Sequence, residues 1–222
     1  MALQIGEIMP KPQRKYLRVT EVIDFVNASW YQYWVKSVGS VEECERITRE
    51  SSAFGTGVHK MVENYLIGSP LPELSERQKA CGSLLVNWCK ETQAKPLTIN
   101  DSPAVECTLQ CERYGYEGHP DLLCTFGEDT TPWIIDWKTS KEFKLGYYLQ
   151  AAAYAHAARI EHGITIKDGA ILRVEKDPNK KVQFEVIEMH DLEEKYFPIF
   201  LAALDVVNFF KKRDKWKVKR GE

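Results

Sequence analysis

The sequence predicts one domain of the mixed α/β (α+β) class, with a central, mostly antiparallel β-sheet flanked by helices. Hydrophobic periodicity gives the order helices, strands, one helix, strands, helix. Neither an internal repeat nor a linker interrupts this order. The 222 residues suffice for one sizeable core but are marginal for two. We therefore expect a single domain over residues 1–222.

Three helices are predicted in the first part of the chain. The first spans about residues 20–34, with Thr20 as its cap. The second spans about residues 53–67, where apolar residues form one stripe. The third begins at a capping box formed by Ser75 and Gln78.

Strand patterns replace helical ones after Pro96. An alanine-rich helix is predicted over residues 145–162, and a last long helix starts at Asp191. The predicted strands cover residues 104–110, 114–118, 122–126, 133–137, 170–174 and 182–188.

The composition is that of an ordinary soluble globular domain. Hydrophobic residues make up 44% and charged residues 28% of the chain. No run approaches the roughly 18 apolar residues of a membrane span, and the amino terminus does not resemble a secretory signal. We expect a cytoplasmic protein with no membrane partner, in the host cytoplasm if the gene belongs to a phage.

The six cysteines are predicted to be buried free thiols. Cys107 and Cys111 are four residues apart, but no second pair completes a zinc site. The net charge of −2 gives no overall signature of nucleic-acid binding. Seven of the ten residues 211–220 are nevertheless Lys or Arg, around Trp216, which indicates either a solvated tail or a phosphate-contacting one.

The first sequence motif that carries chemistry lies on the second predicted helix. His59 and Glu63 are four residues apart and share a face of that helix. Gly55 and Gly57 precede them and allow another backbone or a ligand to approach. Taken alone, a His–Glu pair is usually a surface interaction of a helix.

Acidic residues stand beside two strongly apolar strands. Asp121 precedes one strand, and Asp136 and Lys138 end the next, where alternation places both on one face. Burying an acid and a base is costly unless they are paired or bind a metal. On the following helix, Gln150 and Tyr154 lie one turn apart.

These four motifs, in this order and spacing, resemble those of the PD-(D/E)XK nuclease superfamily. The upstream histidine and the Gln-x-x-x-Tyr element are similar to the RecB-like exonuclease branch. The resemblance extends from Phe54 to Tyr154. It implies a restriction-endonuclease-like fold, with a catalytic core over about residues 54–160.

The resemblance also implies a metal-dependent DNA nuclease, which hydrolyses phosphodiester bonds to leave a 5′-phosphate. One or two Mg²⁺ or Mn²⁺ ions are expected, because carboxylates suit Mg²⁺ and a histidine ligand favours Mn²⁺. The implied residues are Asp121, Asp136 and Lys138 for catalysis; His59, Asp121, Asp136 and the Trp137 carbonyl as metal ligands; Gln150 and Tyr154 for positioning or DNA contact; and Glu63 and Glu106 as supporting groups.

The substrate is expected to be DNA ends or single strands, in recombination, repair or phage DNA metabolism. A recombination or replication protein is a possible partner. Unpaired bases can stack on aromatic side chains. Four aromatic residues cluster near the end of the first predicted helix. They are Trp30, Tyr31, Tyr33 and Trp34.

Three alternatives remain open from the sequence. Nucleases of CRISPR adaptation carry an iron–sulfur cluster on carboxyl-terminal cysteines, but no cysteine follows Cys124, so we expect no such cluster. A catalytically inactive DNA-binding or scaffold module on the same fold is a second alternative. The third is a nuclease subunit that needs a helicase partner, which would be a separate protein because the chain has no phosphate-binding loop.

Overall fold

The computed structural model of the chain describes residues 15–27 and 34–220, with side chains as far as residue 211. Its strands are β1 (Leu17–Arg18), β2 (Ala94–Pro96), β3 (Thr98–Ile99), β4 (Ser102–Pro103), β5 (Leu109–Cys111), β6 (Tyr116–Gly118), β7 (Leu122–Phe126), β8 (Asp129–Lys138), β9 (Asp168–Val174) and β10 (Phe184–Met189). Its helices are α1 (Val19–Val26), α2 (Val41–Leu66), α3 (Glu76–Glu91), α4 (Gly146–His162), α5 (Leu192–Lys195) and α6 (Phe197–Arg220).

The central sheet has five strands in the order β10-β9-β8-β7-β2. Only the β8–β9 pair is parallel among them, with Asp136 opposite Ile171, and the other three pairs are antiparallel. The predicted mixed fold with a mostly antiparallel sheet is therefore confirmed. A smaller sheet, β1-β6-β5, and the β3–β4 pair lie outside it.

Apolar residues cover both faces of the central sheet. Along β8, Ile134 belongs to a core shared with α1, α4 and α6, whereas Ile135 belongs to a core shared with α2 and α3. This alternation follows from the two-residue repeat of a strand. The small alanines of α4 are buried and let that helix lie close to the sheet.

The element boundaries differ from the prediction in several places, and the long helix predicted from Asp191 is divided into α5 and α6 at Tyr196. Helix α1 is capped by Arg18 rather than Thr20 and ends at Val26, although residues 34–38 form a further helical segment. Helix α2 begins at Val41, after the Ser40 cap, which is 12 residues before the predicted start. The strand expected over residues 104–110 is mostly irregular, because Glu106 has a φ of 49° and only Leu109 and Gln110 belong to β5.

Other local predictions are confirmed. The Ser75–Gln78 capping box opens α3, and the helix predicted over residues 145–162 is α4. All six cysteines are free, and five of them are buried.

The basic segment differs from the tail that was predicted, because it continues α6 as a helix to Arg220. Within the described residues, no helix is long and apolar enough to cross a membrane.

We expect that Gly169→Ala destabilises the protein by about 2 kcal/mol through overpacking. A β-carbon at Gly169 would lie 2.7 Å from the carbonyl oxygen of Ile134 on the paired strand, which cannot move without breaking the ladder. Urea denaturation measures the change. Gly82→Ala is the control, because its β-carbon meets only the flexible Met61 side chain and a helix favours alanine. Equal stability of the two variants would contradict this account.

Candidate active site

Asp121 connects the elements that meet at the carboxyl end of β8. It stands between β6 and β7 and is only 5% exposed. One of its oxygens, Oδ2, accepts a hydrogen bond of 2.7 Å from the backbone N–H of Trp137 on β8. The other oxygen, Oδ1, lies 3.2 Å from Nδ1 of His59 on α2. A turn residue thus fixes a strand and a helix with one carboxylate.

Asp136 and Lys138 form an ion pair at the end of β8. Asp136 is 4% exposed, and Lys138 is also largely buried. The ammonium of Lys138 lies 5.1 Å from the centre of the Tyr147 ring, on α4. The alternation of side chains along the strand therefore places both groups on the same face, as predicted. Apart from the ion pair, Oδ2 of Asp136 has no hydrogen-bond partner among the described residues.

His59, Glu106 and Asp121 form a group of possible metal ligands. One donor atom from each lies within 4.8 Å of the donors of the others. Nδ1 of His59 is 3.5 Å from Oε1 of Glu106 and faces the Asp121 carboxylate as well. One imidazole and two carboxylates are a donor set that suits a divalent cation such as Mn²⁺ or Mg²⁺.

Gln150 and Tyr154 lie behind these charged groups on α4. Nε2 of Gln150 donates a hydrogen bond of 3.0 Å to the hydroxyl of Tyr154, and both side chains are buried. The Tyr154 ring packs on Gly118, where no side chain would fit. On the other side of the site, a β-carbon at Gly55 would lie 3.1 Å from Oγ1 of Thr139. Two glycines thus permit close contact around the site.

This arrangement is accompanied by a match between residues 23–211 and the family model of the PD-(D/E)XK nuclease superfamily. The chain belongs to this superfamily. The resemblance seen in the motifs is thereby confirmed at the level of the superfamily. The four motifs of the superfamily pattern converge in space, although they are separated by as many as 95 residues from His59 to Tyr154.

Two solved structures are distantly similar to this superfamily member. The alkaline exonuclease LHK-Exo from Laribacter hongkongensis is 12% identical, over 74% of this chain and 86% of its own, with a TM-score of 0.35. LHK-Exo in complex with dAMP is 13% identical, over 92% and 95%, with a TM-score of 0.41. Both similarities are too distant to define the substrate of this chain. No curated protein sequence matches it significantly.

Burial and neighbouring charges shift the pKa values of the site residues in opposite directions. Burial raises the pKa of Asp136 to about 6, although the Lys138 ammonium opposes this shift. Burial acts the same way on Asp121, but the His59 and Lys138 charges and the hydrogen bond from Trp137 hold its pKa below the usual value. Burial lowers the pKa of His59, but Asp121 and Glu106 outweigh it and raise that pKa to about 10. Carboxylates with such divergent pKa values are typical of functional sites.

The two predicted supporting groups, Glu63 and Glu106, differ in their contacts. The Glu63 carboxylate forms a 2.7 Å ion pair with Lys60 on the same helix, whereas Glu106 joins the possible ligands. Of the predicted aromatic cluster, Trp34 begins the helical segment 34–38. The other three members, Trp30, Tyr31 and Tyr33, lie outside the described residues. The side chain of Trp216 lies outside them as well.

Arg173 is a residue of the site region that the sequence prediction missed. It is 8% exposed and pairs in register with Lys138 across the parallel β8–β9 ladder. Its guanidinium donates to the carbonyl of Lys141 at 3.1 Å and to the carboxylate of Glu185 at 2.5 Å. An arginine inside the apolar run of residues 170–174 is the signal that could have identified it, by the argument already used for β8.

Lys138→Met is expected to destabilise the protein by about 3 kcal/mol at pH 8, because it leaves the buried Asp136 carboxylate without a partner. The native pKa of Asp136 lies near 6, above its ordinary value, and loss of Lys138 raises it further. The carboxyl is therefore neutral at low pH, and the destabilisation appears as the pH rises through the native pKa. Urea denaturation in EDTA at pH 5 and pH 8 measures both values.

The control for this prediction is the double variant Asp136→Asn/Lys138→Met. It removes both charges and is expected to unfold within about 1 kcal/mol of the wild type at either pH. A single variant that is equally destabilised at pH 5 and pH 8 would show that packing, and not the buried charge, is the cause.

Proposed function

We propose that this protein is a metal-dependent DNA nuclease, and that the convergence of Asp121, Asp136 and Lys138 at the end of β8 is the observation that supports this function most. Two carboxylates and an ammonium are buried there within one apolar sheet. Such burial costs several kcal/mol per charge, and apolar residues of similar volume are often at least as stable as a buried ion pair. A catalytic role explains why the fold retains these groups.

The proposed metal ligands are those that the motifs implied, joined by one that the structure adds. His59, Asp121 and Asp136 would bind the ion together with the carbonyl of Trp137. Glu106 has the geometry of a further ligand rather than of a distant supporting group. Oδ2 of Asp136 has the Lys138 ammonium as its partner and no other hydrogen bond among the described residues, so it retains the capacity to bind an ion. When bound, a divalent ion supplies charge stabilisation at the phosphate and lowers the pKa of a water molecule.

The protein groups have separate proposed roles. Lys138 holds a positive charge at the sheet end, where it orients an attacking water and stabilises the charge that develops on the phosphate. Tyr154 and Gln150 hold each other through their hydrogen bond and form the wall behind Asp136 and Lys138. Because burial raises the pKa of Tyr154, its hydroxyl stays protonated and remains available as a hydrogen-bond donor.

Within the superfamily, the proposed place of the chain is the RecB-like branch without an iron–sulfur cluster. The proposed action is exonucleolytic, on DNA ends or single strands, in recombination, repair or phage DNA metabolism. The histidine at position 59 and the Gln150–Tyr154 pair support this placement. We further propose that residues 1–222 form one catalytic domain that acts in the cytoplasm, with a recombination or replication protein as possible partner.

Lys138→Ala is expected to reduce DNA hydrolysis at least about 100-fold, because it removes the only ammonium paired with Asp136 among the described residues. The assay uses 5′- and 3′-labelled DNA, single- and double-stranded, linear and circular, with Mg²⁺, Mn²⁺ or EDTA. Lys95→Ala is the control, since Lys95 lies at the far edge strand β2 and pairs loosely with Glu128.

Metal-dependent degradation that is lost in Lys138→Ala and retained in Lys95→Ala supports the nuclease function. Resistance of circular DNA would identify an exonuclease. If the wild type binds DNA but cuts none with either metal, the catalytic proposal fails and a binding or scaffold module takes its place. Cleavage that appears only after a helicase is added would identify the protein as a nuclease subunit.

Glu106→Gln is expected to weaken Mn²⁺ binding about 10- to 100-fold, whereas Glu63→Gln leaves it unchanged. The two substitutions are chemically identical, but only Glu106 lies with His59 and Asp121. Mn²⁺ binding is measured by titration calorimetry, which also detects proton release, because His59 must lose its proton to bind the ion. Equal effects of the two substitutions would remove Glu106 from the proposed ligands.

A further inference from the structure

The turn between β9 and β10 lies at the same edge of the sheet as the candidate active site. Parallel strands end at the same edge, so the segment that follows Lys138 and the turn that follows Val174 leave the sheet side by side. Arg173 joins the two, since its guanidinium donates to the carbonyls of Ser140 at 3.3 Å and Lys141 at 3.1 Å.

The turn, residues 175–183, is also fastened to the helices beside it. Nε of Arg77 on α3 donates to the carbonyl of Lys176 at 2.5 Å, and the same guanidinium donates to Oε1 of Gln183 at 2.8 Å. Nζ of Lys176 donates to Oγ of Ser51 on α2 at 2.5 Å. These contacts give the turn a fixed position, which a binding surface requires.

Ser51 sets the spacing between this turn and the proposed metal ligands. It precedes His59 by eight residues on α2, which corresponds to about 12 Å along the helix axis. A nucleic-acid strand rises about 3.4 Å per nucleotide in a duplex, so about three or four nucleotides cover this distance. The turn is therefore within reach of a strand whose cleaved phosphate lies at Lys138.

Three exposed lysines at this edge have no carboxylate partner among the residues that the structure describes. They are Lys141, after β8, and Lys180 and Lys181, in the turn. Other surface lysines, such as Lys95 and Lys195, do lie near acids. Burial lowers the pKa of Lys176; of its charged neighbours, Lys141 lowers that pKa and Glu175 raises it, which places Lys141 beside the turn. The three lysines without a carboxylate partner in the described part of the chain give this edge a basic surface. Such a surface attracts a polyanion.

We propose that Lys141, Lys180 and Lys181, which we name the basic rim, bind the phosphodiester backbone of the substrate strand, with the turn about three or four nucleotides from the cleaved phosphate. This inference rests on the proposed nuclease function for the position of that phosphate. The contacts are ionic and made to phosphates, so they hold the strand without selecting its sequence. The basic rim thus extends the site from one phosphate to a short length of DNA.

The test measures the binding of a fluorescein-labelled DNA strand of about 20 nucleotides by fluorescence anisotropy in EDTA. The NaCl concentration is varied from about 50 to about 200 mM, a range that includes physiological ionic strength. Lys180→Gln/Lys181→Gln is expected to raise Kd about tenfold at 100 mM salt. The slope of log affinity against log salt is expected to fall by about 1.4, or 0.7 for each lost contact. Lys95→Gln/Lys195→Gln removes the same charge elsewhere and should bind as the wild type does.

Two further arms separate binding from folding and from catalysis. Lys180→Arg/Lys181→Arg keeps the charge and should restore the wild-type slope. If the glutamine variant keeps the wild-type affinity and slope, or if the control loses as much affinity, the basic rim is overturned even when the wild type cuts DNA. If binding depends on the basic rim but no DNA is cut with Mg²⁺ or Mn²⁺, the nuclease function fails and the basic rim stands. A wild type that neither binds DNA in EDTA nor cuts it with Mg²⁺ or Mn²⁺ overturns both.

Discussion

The rest of the structure depends on the burial of charge at the carboxyl end of β8. A carboxylate in an apolar interior needs partners of fixed geometry, and Asp121 obtains them from the Trp137 backbone and from His59. One side chain therefore constrains the end of β8, the start of β7 and the face of α2 at once. The close contacts at Gly55 and Gly118 follow from the same constraint, because these elements and α4 must approach within a few ångströms.

Sequence patterns predicted the centre of the site better than its surroundings. An acid and a lysine two residues apart in an apolar strand could be placed on one face without any knowledge of the fold, and Asp136 and Lys138 do pair. The first three turns of α2 were missed because residues 41–52 have no apolar stripe. They are stabilised instead by local ion pairs, such as those of Arg46 with Glu43 and Glu50.

Contacts between residues that are far apart in the sequence explain why the positions of Glu106 and Arg173 could not be predicted. Glu106 reaches His59 because its own backbone leaves the strand conformation, with φ at 49°, and a strand pattern gives no sign of such a break. The Arg173 guanidinium donates to the carbonyl of Lys141 because β9 is parallel to β8. No local sequence pattern in either strand determines that pairing. The sequence supplied the chemically unusual residues, and the topology determined which of them meet.

The parallel β8–β9 pair in the otherwise antiparallel central sheet has a consequence for how the site is assembled. β9 can pair with β8 only after α4 has crossed the sheet, and the paired residues are about 35 positions apart. A chain that has just been synthesised as far as α4 thus holds every residue of the four motifs, yet one side of β8 is still open to water. The low-dielectric environment forms when β9 arrives. A growing or partly unfolded chain therefore holds Asp136 and Lys138 on an edge strand, before the apolar surroundings that raise the pKa of Asp136 have formed.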